Sequence, residues 1–145
     1  MTQSEKDLIL KDLCSRLDTN LVCSIYRTDD EGVGYRDEIL HGYCKGDIWY
    51  EFYFREDCSI GIDDVSKIKP YLFPLSSMTE EQRNEYESLC IKETSECGDL
   101  TGFFYTKDYY YDTAESIDYL YKNNFDYRGL IEKGLAIDAT GLNIY

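Results

Sequence analysis

His41 is the one imidazole in the chain, and that limits the nucleophilic and acid–base chemistry open to it. Mechanisms that need two histidines are excluded. His41 and Cys44 stand three apart in a stretch that reads as strand, so their side chains point to opposite faces and make a poor Cys–His pair. A zinc site would have to gather His41, Cys44, Cys58 and Cys23 without any C-x₂-C element to nucleate it, and a histidine on a strand surface is the simpler reading. Asp29-Asp-Glu-Gly-Val-Gly34 begins like a calcium loop, with Gly34 at the sixth position. Val33 at the fifth and Leu40 at the twelfth then remove a side-chain oxygen and the bidentate carboxylate, leaving a solvated hairpin turn. Asp63-Asp64 reads as a turn or helix cap. With 29 acidic residues, adjacent carboxylates carry no information by themselves. A hydrolytic site needs acids from separate elements converging in a cleft. No G-x-S-x-G, P-loop or G-x-G-x-x-G is present. The residues thus assign no catalytic, metal-binding or cofactor-binding position and imply no cofactor. A small hydrolase with a carboxylate site is an alternative that rests on the acids alone.

Tyrosine is the unusual feature. The chain has 15, including Tyr109, Tyr110 and Tyr111 in a row between Asp108 and Asp112, with Tyr105, Tyr119, Tyr121 and Tyr127 nearby. Three consecutive tyrosines cannot all face one core, because neighbouring side chains diverge in either kind of regular structure. Tyrosine offers a large apolar ring, a polar tip and little rotamer entropy to lose, which is the composition of many protein-binding surfaces. Tyr105, Tyr109, Tyr110, Tyr111, Tyr119 and Tyr121 are therefore the candidate protein-contact residues. The competing expectation is that these rings roof the core and reach water only through their hydroxyls.

Elements that would position these groups follow from periodicity and punctuation. Ser4 with Asp7 resembles a capping box, and Leu10, Leu13, Cys14 and Leu17 recur at helical spacing, predicting a helix over about 5–17. Strand-like stretches follow at 21–28, 33–44, 48–55 and 58–62, separated by turn residues. In the third, Ile48, Tyr50, Phe52 and Phe54 share one face, as in a half-buried strand. Four short antiparallel strands after an amphipathic helix suggest a curled sheet or small barrel of SH3-like or Sm-like form. Pro70 and Pro74 mark a joint, since each lacks an amide donor and restricts the residue before it. Beyond it, Thr79 with Gln82 opens a helix over about 80–93, 101–107 reads as a short strand, and Asp112 with Glu115 caps a helix running to about Lys122. Asp126 caps a last short helix ending at Gly134, with Phe125 and Leu130 as its hydrophobic staple. The fold class expected is α+β: residues 1–75 a helix plus small barrel or curled sheet, and residues 76–145 mainly helical with one short strand, packed on the first half as a single unit.

Composition bounds the rest. The chain of 145 residues carries 15 Lys and Arg against its 29 acids, a formal charge of −14. Its isoelectric point is near 4.3. Gripping nucleic acid requires clustered cations, so neither DNA nor RNA is expected as a partner, and Sm-like RNA binding, suggested only by the guessed barrel, ranks last. Hydrophobic residues at 43% and aromatics at 15% supply enough apolar surface for a core. No apolar run approaches the roughly 18 residues that would span a bilayer, so no membrane association is expected. The start lacks a basic region leading into an apolar one, so no signal peptide is read and the expected compartment is the cytoplasm. There the six cysteines, at 14, 23, 44, 58, 90 and 97, stay as thiols and act as small hydrophobes.

Two stretches carry a resemblance: Ile68-Lys-Pro-Tyr-Leu-Phe-Pro-Leu-Ser-Ser-Met-Thr-Glu-Glu81 and Phe125-Asp-Tyr-Arg-Gly-Leu-Ile-Glu-Lys-Gly-Leu-Ala-Ile-Asp138. With Lys11-Asp-Leu-Cys-Ser-Arg-Leu17, they resemble a family of small uncharacterised proteins encoded by gut anaerobic bacteria and their phages or integrated elements. The likeness spans most of the chain and departs at Phe73, where the family pattern often has a basic residue. It implies no activity, cofactor or catalytic residue, only a cytoplasmic accessory protein of mobile-element origin. The function expected is thus non-catalytic and exercised through contact with a protein partner. The rival from another class is an acidic nucleic-acid mimic that blocks a DNA-binding host protein.

Overall fold

A computed structural model describes residues 1–29, 32–45, 50–55, 58–61 and 65–145. The side chains of residues 29, 44–45, 50–51, 53, 55 and 58–61 also lie outside the description. The chain is mixed α+β and divides into two compact units, Met1–Ser77 with Tyr121–Tyr145, and Met78–Leu120. The C-terminal segment thus belongs with the first unit.

In the first unit, helix α1 spans Gln3–Cys14 and is capped two residues earlier than Ser4 would place it. Thr2 and Glu5 form the capping box, the Glu5 carboxylate accepting from the Thr2 amide at 2.6 Å. A glutamate reaches back to the cap amide, whereas the shorter Asp7 instead accepts from the Gln3 side chain. Ile9 and Leu13 are fully buried, and Leu10, Cys14 and Leu17 pack around them. Strands β1 (Val22–Asp29) and β2 (Gly32–Ile39) form a hairpin in unbroken register from Val22 opposite Ile39 to Asp29 opposite Gly32. In the segment that begins like a calcium loop, Asp29 and Gly32 face each other across the two strands, with Gly32 at φ +123°, and residues 30–31 lie outside the described residues.

Among the described residues the strands form separate sheets and no closed barrel. The stretch expected as one strand over 33–44 breaks at Leu40-His41, giving β2 and a separate β3 (Gly42–Lys45). With β4 (Tyr50–Arg55) and β5 (Cys58–Gly61), β3 makes its own three-stranded antiparallel sheet. Phe52 and Phe54 are buried, as the alternation required, whereas Ile48 and Trp49 lie outside the described residues. The free edge of β1 is taken instead by β6 (Ile68–Leu72), so the sheet order is β2-β1-β6-β9, with β9 at Ile137–Asp138.

Pro70 does not interrupt this sheet. Residues 68–70 pair with β1, while Tyr71 and Leu72 pair in parallel with β9, so the proline stands where one ladder ends and the next begins. Phe73 continues the chain beside Phe125 and lies 5.6 Å from the Tyr145 ring, an apolar junction.

The last helix expected over 126–134 is a series of turns, interrupted where Gly129 and Gly134 adopt positive φ. The anchors proposed for it still operate. Asp126 accepts from the amides of Leu130 and Ile131, both at 2.8 Å, and Phe125 and Leu130 are buried. At the heart of this unit is a fully buried ion pair. Arg16 donates through Nε to Asp12 at 2.8 Å and through Nη2 to the Phe125 carbonyl at 2.7 Å.

The second unit overturns the helical C-terminal half. Helix α2 (Glu80–Leu89) has the Thr79–Gln82 capping box that the sequence announces, but it stops at Cys90 instead of running to residue 93. There follow two eight-residue strands, β7 (Ile91–Gly98) and β8 (Phe104–Tyr111), paired antiparallel over their whole length. Helix α3 (Ala114–Lys122) ends where expected. Its first turn is held by reciprocal Thr113 and Ser116 contacts, while Asp112 accepts from the Ser116 hydroxyl. Among the described residues no helix is long and apolar enough to cross a membrane.

Candidate protein-contact site

Of the groups considered for metal or thiol chemistry, His41 and Cys23 stand in different environments. His41 is exposed between β2 and β3, whereas Cys23 lies at zero exposure among Leu21, Ile25 and Ile68. Burial pushes the Cys23 thiol far up from its ordinary range, which keeps it protonated and unreactive. The Cys44 and Cys58 side chains lie outside the described residues. Among those described, no group of three His, Cys, Asp or Glu is placed to hold a metal ion.

The tyrosines separate into three environments. Tyr105, Tyr109, Tyr110 and Tyr111 all lie on β8, exposed at 48, 37, 41 and 50%. Tyr119, on α3, is half-buried, and its hydroxyl is pushed up by burial and by the Glu85 carboxylate of α2. Tyr121 is not a surface residue. Its ring is buried, the Arg16 and Arg128 guanidinium carbons stand 4.9 and 5.7 Å from its centroid, and its hydroxyl accepts from Arg128. A candidate set chosen by nearness in sequence thus includes one core residue.

The β7–β8 register shows how the ribbon presents its side chains. Opposed residues in an antiparallel ladder share a face. Tyr105, Lys107, Tyr109 and Tyr111 therefore lie on one face with Ile91, Glu93, Ser95 and Cys97. Phe104, Thr106, Asp108 and Tyr110 lie on the other with Lys92, Thr94, Glu96 and Gly98. Every residue of β8 is exposed, and on β7 only Cys97 is partly covered. Both faces of the ribbon therefore meet solvent, and aromatic rings stand on each.

Local contacts brace this surface. Lys107 Nζ sits 5.1 Å from the Tyr109 ring centre, and Lys92 Nζ sits 5.8 Å from that of Tyr110. Lys92 also pairs with Asp108 at 2.8 Å, and Thr94 donates to the same carboxylate at 2.7 Å. These bonds hold the Asp108 carboxyl below its usual range and raise Lys92. The pair is about half exposed, so it fixes register more than it adds stability. At the base of the ribbon Thr113 donates to the Leu89 carbonyl at 2.8 Å, and the Tyr86 hydroxyl donates to Asp112; burial first, and then this bond, drives the Tyr86 pKa up.

Sequence reasoning missed the turn that joins β7 to β8. Gly98 sits opposite Phe104, whose ring lies 3.1 Å from where a Cβ would stand. The usable signal was Asp99-Leu-Thr-Gly102, a turn signature between two runs of strand-compatible residues. Asp99 Oδ1 accepts from the Thr101 amide, the Thr101 hydroxyl and the Phe103 amide at 2.9, 2.6 and 3.0 Å. Gly102 supplies the positive φ of +83°.

The fold and site thus define a mixed α+β chain with an exposed aromatic ribbon. Comparison with known proteins finds no matching family model, no matching curated protein and no matching solved structure.

Proposed function

We propose that this chain is a non-catalytic accessory protein of the cytoplasm, of mobile-element type, that acts by binding a protein partner through its tyrosine-rich segment. The observation that carries this reading is the placement of Tyr105, Tyr109, Tyr110 and Tyr111 on a ribbon whose two faces both meet solvent. Rings on an ordered strand lose little entropy on binding, and aromatic anchors dominate the energy of many interfaces. Tyr121 and, in part, Tyr119 support the fold instead and leave the contact set. The test is capture of a partner from the native cell by the tagged chain, compared with a Tyr109→Ala, Tyr110→Ala, Tyr111→Ala variant. The variant is expected to lose the partner and to keep the thermal transition of the first unit. Retention of the partner refutes the reading.

A second reading, the acidic nucleic-acid mimic, is favoured by one observation. Residues 78–120 hold 11 acids against 3 bases, so −8 of the −14 charge falls on 43 residues. A mimic would bind a DNA-binding protein with steep salt dependence and would be competed by duplex DNA. Association unaffected by competing DNA excludes it.

A further inference from the structure

The apolar residues at the end of the ribbon lie outside the tyrosine segment. Leu100 is wholly exposed, at 107%, and Phe103 and Phe104 are exposed at 66 and 76%. Three large apolar side chains within five residues form a concentrated exposed patch of the kind that marks an interaction site. They are not carried on a slack loop. Three bonds to the Asp99 carboxylate and the Asp99 amide bond to the Phe103 carbonyl at 3.0 Å fix the turn, and the Phe104 ring lies across Gly98.

The charge behind the tip selects its occupant. Within residues 78–120 the net charge is −8, and the ribbon itself contributes Glu93, Glu96, Asp99 and Asp108 against Lys92 and Lys107. An anionic lipid surface repels such a unit. A second copy of the chain brings another −14. Pairing of two β8 edges about a two-fold axis fares no better, since each of the two registers of greatest overlap sets Lys107 or Asp108 against its own counterpart. A surface with an apolar pocket rimmed by Lys and Arg complements both properties at once.

We propose that Leu100, Phe103 and Phe104 form an anchor that enters an apolar pocket, rimmed by cationic side chains, on a basic protein partner. The inference rests on the protein-contact reading of the ribbon and names both a second contact element and the partner's chemistry. Tyrosines along the strands then cover the rim, while the braced tip fills the pocket.

Site-specific photo-crosslinking tests it in the full chain, with p-benzoylphenylalanine replacing Phe103 in one protein and Tyr109 in another, irradiated in the native cell. The Phe103 probe is expected to form an adduct with a basic protein. With that protein purified, Leu100→Ser, Phe103→Ser, Phe104→Ser should weaken binding at least about tenfold with all tyrosines intact. Asp99→Ala, which leaves the apolar groups but frees the turn, should weaken it several-fold, and binding should fall as salt rises. A Phe103 adduct with lipid, with a second copy or with an acidic protein overturns the proposal. An adduct from position 109 but none from 103 overturns the anchor and leaves the tyrosine reading standing, while no adduct from either defeats both.

Discussion

Replacing Arg16 with methionine should cost about 3 kcal/mol of stability, and the number can be built from its contacts. Methionine keeps most of the packed stem and removes the guanidinium. Asp12, itself at zero exposure, then loses two bonds, at 2.8 and 3.2 Å, and the Phe125 carbonyl loses its donor at 2.7 Å. Its remaining cation, Arg128 Nε, stands 3.5 Å from Asp12 Oδ1. Breaking a buried pair by removing one partner costs roughly 3–5 kcal/mol. Against that, the buried Arg16 Nη1 has no hydrogen-bond partner, and removing it recovers part of a desolvation penalty on the order of 1–3 kcal/mol. Urea unfolding followed through the backbone amide resonances of α1 and β1 reports on the first unit. With a slope near 1.5 kcal/mol per molar, the midpoint should fall by about 2 M. Adding Asp12→Leu should restore part of the loss, because an apolar pair replaces a stranded carboxylate, with a coupling of about 1–3 kcal/mol. A loss below about 1 kcal/mol for Arg16→Met, or simple additivity in the double variant, refutes the reasoning.

Asp126→Ala should destabilise the first unit by about 2–3 kcal/mol in the same assay, since the Leu130 and Ile131 amides lose their acceptor where little water reaches. Thr79→Ala should lower helix content over 80–89 and cost about 1 kcal/mol through the lost capping box. The Asp99 carboxyl is held below its ordinary 3.8, first by the Thr101 hydroxyl and then by the Phe103 and Thr101 amides. Its contribution to the turn is therefore complete well above pH 3.8, declines once pH falls below that value and is lost as pH passes the lower folded value. Amide resonances of Thr101 and Phe103 followed by NMR should shift together in that acidic window, and a transition near neutrality contradicts the hydrogen-bonded turn.

What was legible in the sequence was local. The Thr79–Gln82 box, the β1–β2 hairpin and the burial of Phe52 and Phe54 each follow from residues only a few positions apart. The barrel failed because sheet closure depends on distant pairing: the second edge of β1 is claimed by Ile68–Leu72, and no local pattern foretells that choice. Of the β7–β8 ribbon, a short strand over 101–107 was expected where β8 runs over Phe104–Tyr111, while β7 was hidden for a different reason. Strand alternation is visible only when one face is buried, and here both are wet, so Ile91-Lys-Glu-Thr-Ser-Glu shows no hydrophobic period. Arg16 illustrates the third limit. Nothing in a helix end rich in charge marks Arg16 as an arginine that will be sealed in the core.

The most direct measurement is a backbone NMR titration of the intact chain with its purified partner. Resonance changes should concentrate on residues 91–111, with Leu100, Phe103 and Tyr109–Tyr111 among the largest. Changes confined to the sheets of the first unit, with the ribbon unmoved, would contradict the assignment of contact to this surface.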